Sequence, residues 1–295
     1  MSSVGESLHR RERLTQRAAP RAVPYELCLE ENADSHSRTA SSAPQAHIRE
    51  DALSAADPGD SRPVEQARYY DAIVYHADPS SPGADSFRLL RTRLSTLRGA
   101  TNLKTILITS PLPGEGKTTI ALNLATALTE QGTRSVLIVD ADLHSGSVEE
   151  RLGLAPGAGV IECLQGTVSP CSAVRLIKPF GWHLLSSGRP NSVHPADLLR
   201  PGVFAAMLQQ LLPNFDWILV DSPPVLPVPD SLGLAQEVDG TLMVAMAERT
   251  PRSAVEEAIE LIGATRLLGF VLNRVEGGRR VYSQYASYHR SARSC

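Results

Sequence analysis

The stretch TILITSPLPGEGKTTIALNLA, Thr105–Ala125, decides how this chain is read. Thr105–Thr109 is a short β-branched run with the composition of a buried strand. Ser110–Gly116 is rich in Pro and Gly and is predicted to be a loop. From Lys117 onward, Ile120, Leu122, Leu124 and Leu128 fit a helix. A glycine-rich turn that leads from a strand into a helix is a phosphate cradle. Unpaired backbone N–H groups and the positive end of the helix dipole converge there. Pro113, Gly114, Glu115, Gly116, Lys117, Thr118 and Thr119 are therefore the candidate nucleotide-binding residues. Gly114 and Gly116 let the backbone approach phosphate closely, Lys117 reaches the β/γ-phosphates, and the Thr118 hydroxyl ligates Mg²⁺. The pattern departs from G-x-x-x-x-G-K-[ST] at its first position, which is Pro111. The competing reading is an ordinary strand–turn–helix with a surface lysine. Two further strands that end in carboxylates argue against it.

Those strands lie downstream. SVLIVDAD (Ser135–Asp142) is a continuous apolar run of the kind buried on both faces of a parallel sheet, and DWILV (Asp216–Val220) is a second, followed by Asp221-Ser222-Pro223-Pro224. Trp182–Ser186, TLMVAMA (Thr241–Ala247) and LLGFVL (Leu267–Leu272) are further strands. Helical patterns alternate with them: Ala84–Leu97, two pieces within Pro195–Leu212 broken near Pro201 and Gly202, and Ala254–Ile262. Strands alternating with helices imply right-handed crossovers, so the expected fold is α/β, with a mostly parallel central sheet and helices on both faces. Ligands bind outside the carboxyl ends of such strands, which brings the loop and the acidic ends to one edge.

Mg²⁺ takes oxygen ligands octahedrally and leans on one or two carboxylates. Phosphoryl transfer needs such an ion and in-line positioning more than covalent chemistry. Asp140 is the candidate ligand or holder of a ligand water, and Asp221 is the Walker-B-like carboxylate. Asp142, two residues past Asp140, is placed to accept the proton of an incoming nucleophile. Lys117, Asp140 and Asp142 are thus the candidate catalytic residues, and Thr118, Asp140 and Asp221 the candidate metal ligands.

The two ends of the chain read differently. Residues 1–80 are dominated by Ser, Ala, Arg, Pro and Glu with little periodicity, and are expected to form a poorly ordered arm. The predicted domain spans 81–276. In its first helix Phe87, Leu90, Leu94 and Leu97 share a face, while Asp85, Arg88 and Arg91 lie three apart on a neighbouring one. Residues 277–295 form a predicted mobile tail after Gly277-Gly278, with Tyr282, Tyr285 and Tyr288 among Arg279, Arg280, His289 and Arg290.

Composition narrows the functional classes. A formal charge of −3 over 295 residues gives no whole-protein case for a nucleic-acid partner. No run approaches the roughly 18 apolar residues of a membrane span. The N-terminal MSSVGESLHRRERL lacks the apolar core of a signal peptide. Cys28, Cys163, Cys171 and Cys295 have no paired metal spacing, which suits reduced thiols in the cytoplasm.

Taken in order, these motifs resemble the bacterial tyrosine kinases of capsule and exopolysaccharide systems, from about Asp85 to the C-terminus. SPLPGEGKTT resembles the family's Walker A motif, VLIVDADL its Walker A′, and ILVDSPPVLPVPDS its Walker B with the double proline. GRPNSVHPADLL and VLNRV resemble the segments around its last strands. Asp85, Arg88 and Arg91 resemble its E-x-x-R-x-x-R oligomerisation motif with Asp for Glu, and His144 stands where its A′ motif has Arg. The resemblance implies a P-loop NTPase fold and ATP-dependent autophosphorylation of Tyr282, Tyr285 and Tyr288 in trans, within a ring of subunits. It also implies Mg²⁺, other protein-tyrosine substrates, and a membrane-embedded polysaccharide co-polymerase that activates the kinase and recruits it to the inner face of the cell membrane.

Two rivals use the same fold. Partition and division-positioning ATPases carry an early second lysine in their loop; here that position is Leu112, and the tail is polar and aromatic. A non-catalytic ATP-binding regulator would bind nucleotide without making phosphotyrosine.

Overall fold

The computed structural model describes residues 72–129, 132–145, 147–189 and 193–275. The three tail tyrosines and most of the N-terminal arm lie outside the described residues. The described chain opens with helix α1 (Val74–Ala77), α2 (Pro82–Thr101), strand β1 (Thr105–Thr109), α3 (Lys117–Leu128) and β2 (Val136–Asp140). It continues with α4 (Ser147–Arg151), α5 (Val160–Leu164), α6 (Pro170–Ala173), β3 (Arg175–Ile177), β4 (Trp182–Leu185), α7 (Pro195–Leu198) and α8 (Val203–Leu211). It closes with β5 (Trp217–Asp221), α9 (Asp230–Gln236), β6 (Gly240–Met246), α10 (Arg252–Ile262) and β7 (Leu267–Asn273).

The strands form one seven-stranded sheet in the order β3-β4-β2-β5-β1-β6-β7. Every pairing is parallel except that of β3 with β4. The expected mostly parallel α/β sheet is the one observed. Its central strands are apolar throughout because both faces are covered. Ile106 and Ile108 of β1 face a layer containing Leu94, Leu122, Leu128 and Trp182. Leu107, between them, faces the opposite layer with Phe204, Met207, Leu211 and Ile262.

Several short elements escaped the sequence pattern, β3 and α9 among them. β3 is three residues long with its middle Leu176 exposed, so it has no apolar run to announce it. α9 contains Gly233 and follows a proline-rich loop, and both features mask its helical period.

The helix α2 packs as its periodicity predicted: Leu94 is buried, and Phe87, Leu90 and Leu97 lie against the same core. Its N-terminus is capped by Ser81, whose Oγ accepts the Ala84 N–H at 3.2 Å, with Pro82 in the first turn. The described structure begins ahead of residue 81: Ile73 is fully buried in the core with residues of α2 and α3. Asn123, buried in α3, holds this entry segment. Its Oδ1 accepts the Val74 N–H at 2.8 Å, and its Nδ2 donates to Ala72 O at 2.9 Å and Thr119 O at 2.8 Å. A single buried amide thus closes the backbone groups of residues 72–74, a long-range contact that local composition does not reveal. Replacing Asn123 by Ala leaves those groups unpaired and is expected to cost about 2–3 kcal/mol, read as a lower urea midpoint at unchanged m-value. An unchanged midpoint would show that residues 72–74 are held by apolar packing alone.

Candidate functional site

Parallel strands bring their carboxyl ends to one edge, and this sheet places the predicted residues there. Asp140 ends β2 and Asp221 ends β5, and the two sit opposite each other in register. Ile108 of β1 pairs with Asp221, so the loop that leaves β1 passes directly beside that carboxylate. The predicted loop Ser110–Gly116 lies between the β1 and α3 that sequence periodicity outlined.

Gly116 caps α3 with φ of 97°, a left-handed conformation that favours glycine, and a Cβ there would collide with the Asn273 amide. The N–H groups of Gly114, Glu115, Gly116, Lys117 and Thr118 have no described hydrogen-bond partner. They lie at the head of a twelve-residue helix, where the dipole favours an anion. Pro113 and Gly114 are exposed at the loop tip, and Thr118 and Thr119 are half-buried.

Glu115 is buried, and its side chain is engaged within the protein. One carboxylate oxygen accepts the Leu112 N–H at 3.0 Å and the other the Thr250 hydroxyl. Its carbonyl accepts from Asn273 Nδ2 at 2.8 Å. What Glu115 offers a phosphate is therefore its backbone N–H. Thr250, in the loop between β6 and α10, and Asn273, at the end of β7, clasp the nucleotide loop from behind. Sequence reasoning assigned them no role; the position of Asn273 immediately after an apolar strand was the available signal.

The electrostatics of the edge follow from burial. Asp221 is 1% exposed, and among the described residues its Oδ1 has no hydrogen-bond partner. Burial pushes its carboxyl up to about 6, against the opposing pull of a hydrogen bond from the Thr118 side chain and the charge of Lys117. Asp140, equally buried, is held well above the usual carboxylate range, first by burial and then by the neighbouring Asp221 charge. Its oxygens accept the N–H groups of Asp142 and Val148, each at 3.3 Å. Asp142 is half-buried and accepts the Ser145 N–H at 3.2 Å.

An orphaned buried carboxylate oxygen beside a hydroxyl, under a loop of unpaired N–H groups, suits a hard divalent cation carrying phosphate. Among the described residues no three His, Cys, Asp or Glu side chains group closely enough to hold a metal by themselves. The arrangement offers a phosphate-bearing ligand backbone amides and a lysine, with the half-buried Asp142 carboxylate on the loop after β2.

The structure does not bring Asp85, Arg88 and Arg91 into this site. Arg88 pairs with Asp85 at 2.7 Å and lies over the Tyr75 ring at 4.9 Å. Arg91 donates to Ala127 O at 3.4 Å, at the far end of α3. Tyr282, Tyr285 and Tyr288 fall outside the described residues. No described helix is long and apolar enough to cross a membrane.

Comparison with known proteins matches this architecture. A ParA family model, described as the NUBPL iron-transfer P-loop NTPase, covers residues 102–276. Tyrosine-protein kinase YwqD of Bacillus subtilis (strain 168) is 29% identical over 220 residues, 73% of this chain and 90% of that one. Tyrosine-protein kinase CpsD of Streptococcus agalactiae is 32% identical over 208 residues, 68% of this chain and 88% of that one. The crystal structure of the chimerical protein CapA2B2 superposes with a TM-score of 0.64 at 30% identity, covering 70% of this chain and 90% of that one. Some relatives are much longer, and the chain spans only 26% of one such kinase. By its phosphate loop, its paired acidic strand ends and this similarity, the chain belongs to the bacterial tyrosine-protein kinases of the P-loop NTPase fold.

Proposed function

We propose that the chain is an ATP-dependent protein-tyrosine autokinase whose acceptors are Tyr282, Tyr285 and Tyr288. The observation that carries this reading is the unpartnered, buried Asp221 Oδ1 beside Thr118, at the foot of a loop of unpaired N–H groups and opposite Asp140. The backbone of Pro113–Thr119 and the Lys117 ammonium bind the phosphates. Thr118, Asp140 and Asp221 hold Mg²⁺, which supplies charge neutralisation of the phosphates when bound. The tyrosine hydroxyl attacks the γ-phosphorus in line. A new P–O bond forms to the tyrosine oxygen, the bond to the β-phosphate oxygen breaks and ADP leaves, while Asp142 takes the hydroxyl proton. Free tyrosine has a pKa of about 10, so a carboxylate at this point lowers the cost of attack.

This reading divides the chain into a kinase domain over residues 81–276, on whose core Ile73 of the preceding arm packs, and a tyrosine-bearing tail over 277–295. Asp85, Arg88 and Arg91 form the contact through which subunits assemble into a ring, so that one subunit phosphorylates the tail of the next. The side chains of Asp85 and Arg88 are 55% and 37% exposed, which leaves them open to a neighbour. The biological setting is capsule or exopolysaccharide synthesis at the inner face of the membrane, under a co-polymerase activator. It is supported by relatives named for such systems, among them the succinoglycan biosynthesis transport protein ExoP of Rhizobium meliloti (strain 1021).

The test is to incubate the purified chain with Mg·ATP, with and without a cytoplasmic activator segment, and map phosphate by mass spectrometry. Phosphate is expected on the tail tyrosines and is expected to disappear when all three are changed to Phe. Inorganic phosphate released without phosphotyrosine under both conditions would replace the kinase with a nucleotide-driven switch.

A further inference from the structure

The loop that follows β2 carries Asp142 but has little to brace it. Within residues 142–145, Asp142 bonds back to Asp140 through its N–H and forward to Ser145 through its carboxylate. On its outer flank, Leu143, His144 and Ser145 border an open cleft of about 540 Å³, also lined by Glu149, Glu150 and Arg189. Among the described residues, one hydrogen bond carries this loop to another segment: His144 Nε2 donates to Asp230 Oδ2 at 2.8 Å.

Asp230 stands on a rigid base. Its side chain is 10% exposed at the head of α9. Its neighbour Ser231 is fully buried and donates to Pro223 O at 2.6 Å, and Thr109 at the end of β1 donates to the same carbonyl at 2.9 Å. The chain from Asp221 to Ser231 is therefore tied to the strand that starts the nucleotide loop. His194 completes the arrangement, its ring edge-on to that of His144 at 6.0 Å between centroids.

We infer that the His144–Asp230 bridge is a latch that pins the Asp142 loop to the frame bearing Asp221, making His144 a positioning residue for the acceptor side of the reaction. The inference rests on the kinase reading above. The bridge touches neither the nucleotide loop nor Thr118, so its work falls on turnover and not on nucleotide binding. A loop free to drift by an ångström costs rate because proton acceptance by Asp142 depends on its placement.

The experiment measures phosphotyrosine formation at saturating Mg·ATP together with Mg·ADP affinity, for wild type, His144→Ala, Asp230→Asn, the double variant and His144→Arg. Each single variant is expected to lose on the order of tenfold in kcat with Mg·ADP affinity held within about twofold. The double variant is expected to lose about as much as either single one, because both remove the same contact. His144→Arg, which keeps a donor for Asp230, is expected to recover most of the lost rate. Unchanged kcat in the single variants, a loss in the double variant near the product of the two, or a fall in Mg·ADP affinity that tracks kcat would each overturn the latch. A wild-type chain that binds Mg·ADP yet forms no phosphotyrosine, with or without the activator segment, would overturn the kinase reading itself, and the latch with it.

Discussion

Lys117→Met is expected to reduce tyrosine phosphorylation by at least about a hundredfold, the scale seen when one preorganised charge is removed from a transition state. Lys117 is the first residue of α3, 8% exposed, with its ammonium close enough to Asp221 to pull that carboxyl down. Methionine matches its length and apolar stem but brings no charge to the phosphates. The loss should appear in kcat/KM, with phosphate on Tyr282, Tyr285 and Tyr288 absent by mass spectrometry and the thermal transition still cooperative. Phosphotyrosine that persists in Lys117→Met would mean that another enzyme in the preparation makes it. Removing Lys117 also withdraws a favourable charge from Asp221, so the carboxyl of this variant should titrate higher still.

Asp221→Asn should separate function from stability. Its carboxyl is raised from 3.8 to about 6 in the fold, so the folded chain holds this proton at pH values where the unfolded chain has released it. The group therefore destabilises the unliganded protein progressively as pH rises from about 4 through about 6, and the full penalty, about 3 kcal/mol, is present above that window. Asparagine keeps the shape and can still accept from Thr118 without burying a charge. Urea unfolding without nucleotide should show Asp221→Asn more stable than wild type at pH 7.5, with the gap shrinking toward pH 4.5. Relief of Asp140, whose carboxyl is raised partly by the Asp221 charge, acts in the same direction. The same variant should lose Mg²⁺-dependent phosphorylation by about two orders of magnitude. A variant less stable than wild type at pH 7.5 would mean that the Asp221 carboxylate is compensated in the empty site, contrary to its unpartnered Oδ1.

Both variants lose phosphorylation, yet one removes a positive and the other a negative charge from the same edge of the sheet. Lys117 and Asp221 partly offset each other before any ligand arrives. Mg²⁺ and phosphate would complete both. A site built in this way stores unfavourable charge that its ligand relieves, so ligand binding should also raise the unfolding temperature of the wild type.

The amino-acid sequence by itself determined every strand but β3, together with the phosphate loop and the acidic strand ends. Those signals are local: β1 and α3 coincide with the boundaries that periodicity drew, because a strand buried on both faces must be apolar throughout and a helix must repeat its apolar face. It also carried the family resemblance, since the motifs stand in a fixed order along the chain. Only the tertiary structure decided the contacts between distant segments. Asn123 closing residues 72–74, Thr250 and Asn273 clasping Glu115, and His144 reaching Asp230 join residues 49 to 158 positions apart. Each is a polar side chain satisfying a group in another element, and polar residues of that kind carry no periodicity. Burial shifted the acidity of the site as well: the Asp140 and Asp221 carboxyls are raised first because the sheet holds them away from water, and Asp140 further by the Asp221 charge across from it, which no local pattern encodes.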